Sequence, residues 1–157
     1  MAIDKNVGRA GIVSSVNPAS MTARVVFPDK DNLQSAELPV LTLGALGRKL
    51  YWLPKVGDHV ACLFFQNSSS LNGGVILGSY FTDENPPNAA SEGVVRFDFS
   101  DGTMIEYNEN ASSLTINCAG TINITGGGDV VVGGVSLVNH THGGIIPGGG
   151  STAPPNK

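Results

Sequence analysis

The sequence predicts an all-β protein. Short runs of β-branched and aromatic residues recur along the 157-residue chain, and Gly, Asn, Asp and Pro interrupt them. Nowhere does a helical spacing of apolar residues hold for three turns. Glycine accounts for 21 residues, about twice its usual share. Charged side chains make up only 14% of the chain, about half their usual share. Together these features favour short strands joined by tight turns.

The first 82 residues predict a small barrel. Five strands are expected there, at 7–16, 21–27, 36–43, 60–65 and 75–81. The polar stretch 28–35 is expected to be a loop, and 66–73 a hairpin loop. A closed barrel of five short strands is typical of the OB-fold. We therefore expect residues 1–82 to form an OB-fold barrel that folds without the rest of the chain.

A polar, proline-containing segment follows the predicted barrel. It reads DENPPNAAS and includes Pro86-Pro87. Such composition is typical of a linker. We assign 83–93 as the linker and a domain boundary.

The strand rhythm changes after the linker, in a segment that we assign as 94–142. Val95, Phe97 and Phe99 alternate with Arg96 and Asp98, which predicts one apolar and one polar face. Strands this short cannot enclose a core within one copy, so we expect several chains to bury each other's apolar faces. A needle of three intertwined chains, a β-prism or short β-helix, is the simplest closed form, and a monomeric hairpin stack is the alternative. The predicted strands are 94–99, 103–107, 114–118, 121–125, 129–132 and 135–140.

Charge is unevenly distributed along the chain. From Asn110 to Asn156 the only formally charged side chain is Asp129. Small domains keep charges on their solvated faces, so this stretch predicts a surface that is buried by self-association or that meets something apolar. A flexible Gly-rich tail is the alternative. The net charge of −4 argues against a nucleic-acid-binding protein.

His140 and His142, within the sequence VNHTHGG, carry the strongest chemical signal. On a strand, side chains two residues apart project from the same face. If that face points inward in a trimer, six imidazoles converge on one axis. An octahedral set suits iron(II), nickel or cobalt better than zinc, and it leaves no open position for a substrate. The alternative is a pair of exposed histidines at a frayed strand end, without metal.

Four segments together resemble a known family. They are WLPKVGDHV at Trp52–Val60, FDFSDGTMIEYN at Phe97–Asn108, the near-terminal HTHGG, and GSTAPP after it. With the short β-repeats, they resemble the baseplate spike of contractile-tailed phages, the baseplate assembly protein V family. The resemblance covers essentially the whole chain.

The resemblance implies a structural, non-enzymatic role. In that family three chains form a needle whose tip binds one iron ion through the HxH pair of each chain. This would assign His140 and His142 as the ligands of one Fe²⁺ per homotrimer in an octahedral six-histidine site. Residues 143–157 would then be a Gly/Pro-rich tail at the tip.

The resemblance also implies a location and partners. The barrels would attach to baseplate hub and tail tube proteins, and sheath contraction would drive the needle through the target cell's envelope. The protein would belong to a virion or a contractile injection particle. The N-terminal residues contain no apolar run, so we expect synthesis in the host cytoplasm without a signal peptide.

Two other classes of function fit the composition less well. An OB-fold module that binds oligonucleotide or oligosaccharide would need basic and aromatic residues, but nine Lys and Arg stand against 13 acids and aromatics are only 6%. A surface-polysaccharide hydrolase would need a pair of carboxylates. Glu106 and Glu109 are expected to be solvated, and His59 lacks the partners of a catalytic site. Cys62 and Cys118 are expected to act as small apolar side chains.

Overall fold

The chain is divided into two compact units, Met1–Ala90 and Ser91–Lys157, which are described separately. The computed structural model describes residues 7–65, 72–88, 91–141, 144 and 148. Its regular structure is almost entirely β, and the one helical element among these residues is a 3₁₀ turn at Pro28–Lys30. None of the described residues belongs to a helix long and apolar enough to cross a membrane. The all-β prediction is confirmed.

The first unit contains one six-stranded sheet. The order is β3-β2-β1-β5-β6, and β4 also pairs with β2. All the pairs between these strands are antiparallel. The strands are β1 Gly8–Asn17, β2 Thr22–Phe27, β3 Leu33–Gln34, β4 Leu38–Pro39, β5 His59–Phe64 and β6 Gly74–Ser79.

The third predicted strand, 36–43, is much shorter than expected. Only Leu38–Pro39 pairs regularly. Beyond it a single parallel bridge joins Val40 to Ile76, and the Leu41 N–H donates to the Ile76 carbonyl at 2.8 Å. The edges formed by β4 and β6 therefore meet at one point, and the described ladders stop short of a closed barrel. A short pairing, β3, occupies part of the segment predicted to be a loop.

The core of the first unit is formed by alternating side chains of its strands. In β2, Ala23, Val25 and Phe27 are buried, whereas the residues between them are partly exposed, as the two-residue period of a strand requires. The rings of Phe27 and Phe64 meet edge to face, with centroids 5.7 Å apart. The nine buried apolar residues are Val13, Ala23, Val25, Phe27, Leu38, Val60, Cys62, Phe64 and Ile76.

Gly11 provides a test of this packing. A Cβ at position 11 would lie 2.5 Å from Cγ1 of Val25 and 2.7 Å from the Val26 carbonyl oxygen. Because the backbone oxygen cannot move away cheaply, we expect Gly11→Ala to destabilise the first unit by about 1–3 kcal/mol, the usual range for overpacking. Chemical denaturation monitored by Trp52 fluorescence measures this, and Gly8→Ala, where a Cβ meets nothing, is the control. Equal stability of the two variants would contradict the tight packing of β1 on β2.

The second unit contains a three-stranded antiparallel sheet, β7-β8-β9, and a separate hairpin. The hairpin turns at Gly133 and Gly134, both of which have positive φ, as a two-residue turn between antiparallel strands requires. No residue in the described range 91–141 is buried. This unit therefore encloses no core of its own in one chain. Its strands are β7 Val94–Asp98, β8 Met104–Asn108, β9 Ser113–Asn117, β10 Val131–Val132 and β11 Val135–Ser136.

Three predicted strands of the second unit differ from the structure. Residues 121–125 form no strand, 129–132 shortens to Val131–Val132, and 135–140 ends at Ser136. A strand exists only where a neighbour accepts and donates its backbone hydrogen bonds. Within one chain, the hairpin offers only two residue pairs. The predictions for these three segments were therefore wrong in extent, because the described residues provide no further strand to pair with them.

Candidate functional site: an apolar sheet face and the C-terminal tip

One face of the β7-β8-β9 sheet consists of exposed apolar side chains. The strand register aligns them directly across the sheet. Phe97 is 53% exposed and Leu114 is 64% exposed. The six side chains form two cross-strand rows, Val95–Tyr107–Leu114 and Phe97–Ile105–Ile116.

The opposite face of the sheet carries the charged side chains, and Arg96 connects two of its strands. The Arg96 guanidinium donates to Asp98 at 2.7 Å and to Glu106 on the neighbouring strand at 3.0 Å. These hydrogen bonds, first to Asp98 and then to Glu106, raise the pKa of Arg96 above its ordinary value. Charges are thus concentrated on one side of the sheet, and apolar groups on the other.

The contrast between the two faces indicates which one a partner covers. Contiguous exposed apolar patches on soluble proteins mark interaction surfaces, and aromatic and aliphatic side chains are favoured in the centre of interfaces. The sequence predicted this face from Val95, Phe97 and Phe99, all of which are more than half exposed. The structure extends it over two further strands.

Asp129, the only charged side chain between Asn110 and Asn156, holds the turn after the hairpin. Its Oδ1 accepts the N–H of Val138 at 3.2 Å. Hydrogen bonding by Ser136, and then by backbone N–H groups including that of Val138, lowers the pKa of Asp129. The carboxylate therefore fixes the turn after β11 by hydrogen bonds. This structural role explains why one charge is present in an otherwise uncharged segment.

His140 lies just after this turn rather than on a strand. Its Nδ1 is 2.8 Å from the Ser136 carbonyl oxygen. Because a carbonyl only accepts, Nδ1 carries the proton and the lone pair of the ring is on Nε2. Sequence reasoning missed this contact, and because it uses the backbone carbonyl of Ser136, no side chain at that position signals it. His142 lies outside the described residues.

The contacts of His140 bear on whether a metal could bind at the tip. A neutral imidazole held through Nδ1 by a carbonyl is the usual form of a histidine that binds a transition metal, so His140 fits. No group of three or more His, Cys, Asp and Glu in the described part of the chain could hold a metal ion. Any site at this tip therefore needs ligands from outside the described residues of one chain.

Replacing the Asp129 carboxylate tests its role in the turn. Ionised Asp129 is favoured in the folded state because its pKa is lowered there. Its stabilisation is thus fully present above the ordinary pKa of an aspartate and is lost as pH falls through the lowered value. We expect Asp129→Asn to reduce the protection of the Val138 amide from exchange at neutral pH, and to remove the loss of that protection that acidification causes in the unmodified chain after correction for the intrinsic exchange rate. Hydrogen exchange followed by mass spectrometry measures both; unchanged exchange would contradict the assignment. Glu109→Gln is the control.

The other candidate residues form no catalytic arrangement within the described range. His59 packs edge to face on Tyr80, with centroids 6.0 Å apart. The adjacent Asp58 accepts the Lys55 N–H and the Ser79 hydroxyl. Glu106 is paired with Arg96. These contacts give each side chain a structural role.

Both cysteines lie in the described residues as free thiols, Cys62 buried and Cys118 partly exposed. Burial raises the pKa of Cys62 to about 11. A thiol with such a pKa stays protonated and inert at neutral pH. Cys62 is therefore a small apolar core residue, as the sequence predicted.

Comparison with known proteins adds two findings. Residues 134–156 match the family model of the GpV Apex motif, a range that contains both histidines of the predicted tip. The chain is also similar to the spike protein of Escherichia phage P2, with 27% identity over 126 residues. The similar region covers 80% of this chain and 57% of that protein, so the chain spans little more than half the length of this relative.

The two matches agree with each other and with the sequence resemblance. One covers the C-terminal end and the other most of the chain. The chain is therefore similar, at its C-terminal end and over most of its length, to phage baseplate spike proteins of the gpV type.

Proposed function

We propose that this protein is the trimeric structural spike at the centre of a contractile-tail baseplate and that it pierces the target cell's envelope when the sheath contracts. The observation that carries this proposal is the exposed apolar face of the second unit. Six large apolar side chains on three paired strands face solvent in one chain. The similarity to a phage spike protein supports the same role.

A trimer is the simplest assembly that buries this apolar face. Three such sheets arranged around an axis turn their apolar faces inward, leave the Arg96 network outside and close without a free interface. Segments that form no strand in one chain, such as 121–125, could then pair with neighbouring chains. We assign 94–142 to this needle.

The first unit serves as the attachment domain. We propose that it is an OB-type barrel that binds baseplate hub and tail tube proteins. Two features support a curved sheet: register shifts between Val13 and Ser15 and between Ala61 and Cys62, since bulges bend and twist strands. The Val40–Ile76 bridge links the edges of β4 and β6.

The tip is proposed to hold one iron(II) ion per trimer. His140 and His142 of each chain would supply six imidazole nitrogens, and the Apex motif match over 134–156 supports a specialised tip. A metal with six protein ligands has no position for substrate, so its contribution is to fix the three chain ends together. Asp129 and Ser136 orient the segment that carries His140.

The charge pattern suits passage through a membrane. Charged side chains cost a few kcal/mol each to insert into a bilayer core, and Asp129 is the only one between Asn110 and Asn156. The protein would reside in the virion or injection particle and make no covalent change in its target. A role as an oligosaccharide- or oligonucleotide-binding module, or as a hydrolase, is not favoured, because the described residues bring together neither a basic groove nor an unpaired catalytic carboxylate pair.

Particles assembled without this chain test the function. A tail lacking the spike is expected to lose envelope penetration, measured as potassium efflux from target cells, and full-length protein supplied during assembly is expected to restore it. Particles that lack the chain and penetrate normally would contradict the proposal. Hydrolysis of envelope polysaccharide by the purified chain would instead indicate an enzyme.

A further inference from the structure

The loop between β4 and β5, residues 41–56, exposes a second group of apolar side chains. Leu43 is 95% exposed and Leu46 is 93% exposed, so neither makes appreciable contact within its own chain. This loop belongs to the first unit and is separate from the apolar face of β7-β8-β9. The other large apolar side chains exposed in it are Leu41, Leu50, Tyr51, Trp52 and Val56.

The loop is held in shape by its own hydrogen bonds. The Thr42 hydroxyl donates to the Leu50 carbonyl at 2.8 Å, and the Leu50 N–H lies 3.4 Å from the Gly44 carbonyl. A Cβ at Gly44 would lie 2.6 Å from the Arg48 carbonyl oxygen, so the backbone is closely folded there. A preformed loop loses little conformational entropy on binding.

The exposed apolar side chains of the loop are not part of the core of the first unit. The nine residues of the core cluster lie outside 41–56, and within the loop only Pro54 is buried. A soluble domain gains nothing from leucines that stay in water, so their placement on a fixed loop indicates a contact with another molecule.

The charge of the loop indicates which kind of molecule it contacts. The loop contains three cations, Arg48, Lys49 and Lys55, and no acidic residue. None of the three forms an ion pair with a described residue. Elsewhere in residues 1–90, four cations stand against seven acids. The loop therefore carries +3 and the rest of the first unit −3.

The first unit outside the loop has carboxylates available for such a contact. Asp31, Asp83 and Glu84 form no ion pair with any described residue. Within the proposed trimer, the loop of each copy would meet the body of the next copy, a heterologous contact that a three-fold axis closes into a ring. The same ring order suits the three-chain needle.

We propose that the 41–56 loop of each chain docks on the acidic body of the first unit of a neighbouring copy. This inference rests on the proposed trimer and adds to it a second self-interface, formed by the first unit. Complementary charge fixes the orientation of the contact, and Leu43 and Leu46 supply the apolar area.

Trp52 is the only tryptophan in the chain and lies in this loop, 54% exposed in one copy. In the full-length native protein we expect its emission to be blue-shifted and acrylamide quenching to be several-fold weaker than for a free tryptophan derivative. Leu43→Asp combined with Leu46→Asp should restore quenching while the mass stays that of a trimer. Leu33→Asp, another exposed leucine of the first unit, is the control. A carbodiimide should also link Lys49 or Lys55 to carboxylates of another chain, as isotope-mixed protein reveals.

The outcomes separate this inference from the proposed function. A trimer in which Trp52 is fully quenchable, with no interchain link from the loop, would overturn the loop contact and leave the spike intact. Protection of Trp52 that appears only on adding anionic phospholipid vesicles would overturn it in favour of a lipid surface. A monomer would contradict the proposed function itself.

Discussion

An Ile116→Asp chain is expected to be monomeric under conditions in which the unmodified chain is a trimer. Ile116 lies in β9, on the apolar face, and is 52% exposed in one chain. The substitution therefore disturbs little within one copy. In the assembly it removes about 2 kcal/mol of apolar burial from each chain and places an unpaired carboxylate in the interface, which costs several kcal/mol more. Each of the three copies bears both costs. Sedimentation velocity measures the result.

Asn117→Asp is the matched control for this variant. Asn117 is the next residue of the same strand, is exposed, and points to the polar face. The control introduces the same charge on the opposite side, so it should remain trimeric. If both variants stay trimeric, or if both dissociate, the β7-β8-β9 apolar face is not the interface.

The second large effect is expected at the tip. Replacing both His140 and His142 with alanine should reduce bound iron from one ion per trimer to none, as measured by elemental analysis of protein purified without chelators. Because imidazole binds a metal only when unprotonated, the unmodified protein should also release iron on acidification. Hydrogen exchange should increase near Val138 in the double variant, while the first unit keeps its stability.

His59→Ala is the control for the tip variant, because it removes the chain's other histidine from the first unit. It should keep the full amount of metal. One iron per trimer in the double variant would contradict the tip assignment, and so would its absence from the unmodified protein. In either case His140 would be a polar residue held by Ser136 and nothing more.

Local patterning predicted most of the strands but not their extent. The strands of the first unit follow alternation that their own core enforces, as in Ala23, Val25 and Phe27, and those predictions were correct to within a few residues. The third strand failed beyond Pro39, because pairing there depends on a distant strand, β6. Sequence alternation carries no information about which strand will lie alongside.

The second unit shows another limit of prediction from sequence patterns. Val95 and Phe97 predicted an apolar face from spacing alone, and the register extends it through Ile105 to Ile116. The predicted strand through His140 ends at Ser136 instead, because no strand among the described residues lies beside it. The contacts of Asp129 with Val138 and of Ser136 with His140 depend on how the turn folds, and no residue spacing identifies them.

The mass of the full-length protein in its native state tests the central claim most directly. The chain weighs 16.2 kDa, and native mass spectrometry at micromolar concentration resolves one copy from three. The exposed apolar face of the second unit predicts a single species at three times the chain mass that persists on dilution. A monomer at the same concentration would contradict the account, because that face would then remain in water with nothing to cover it.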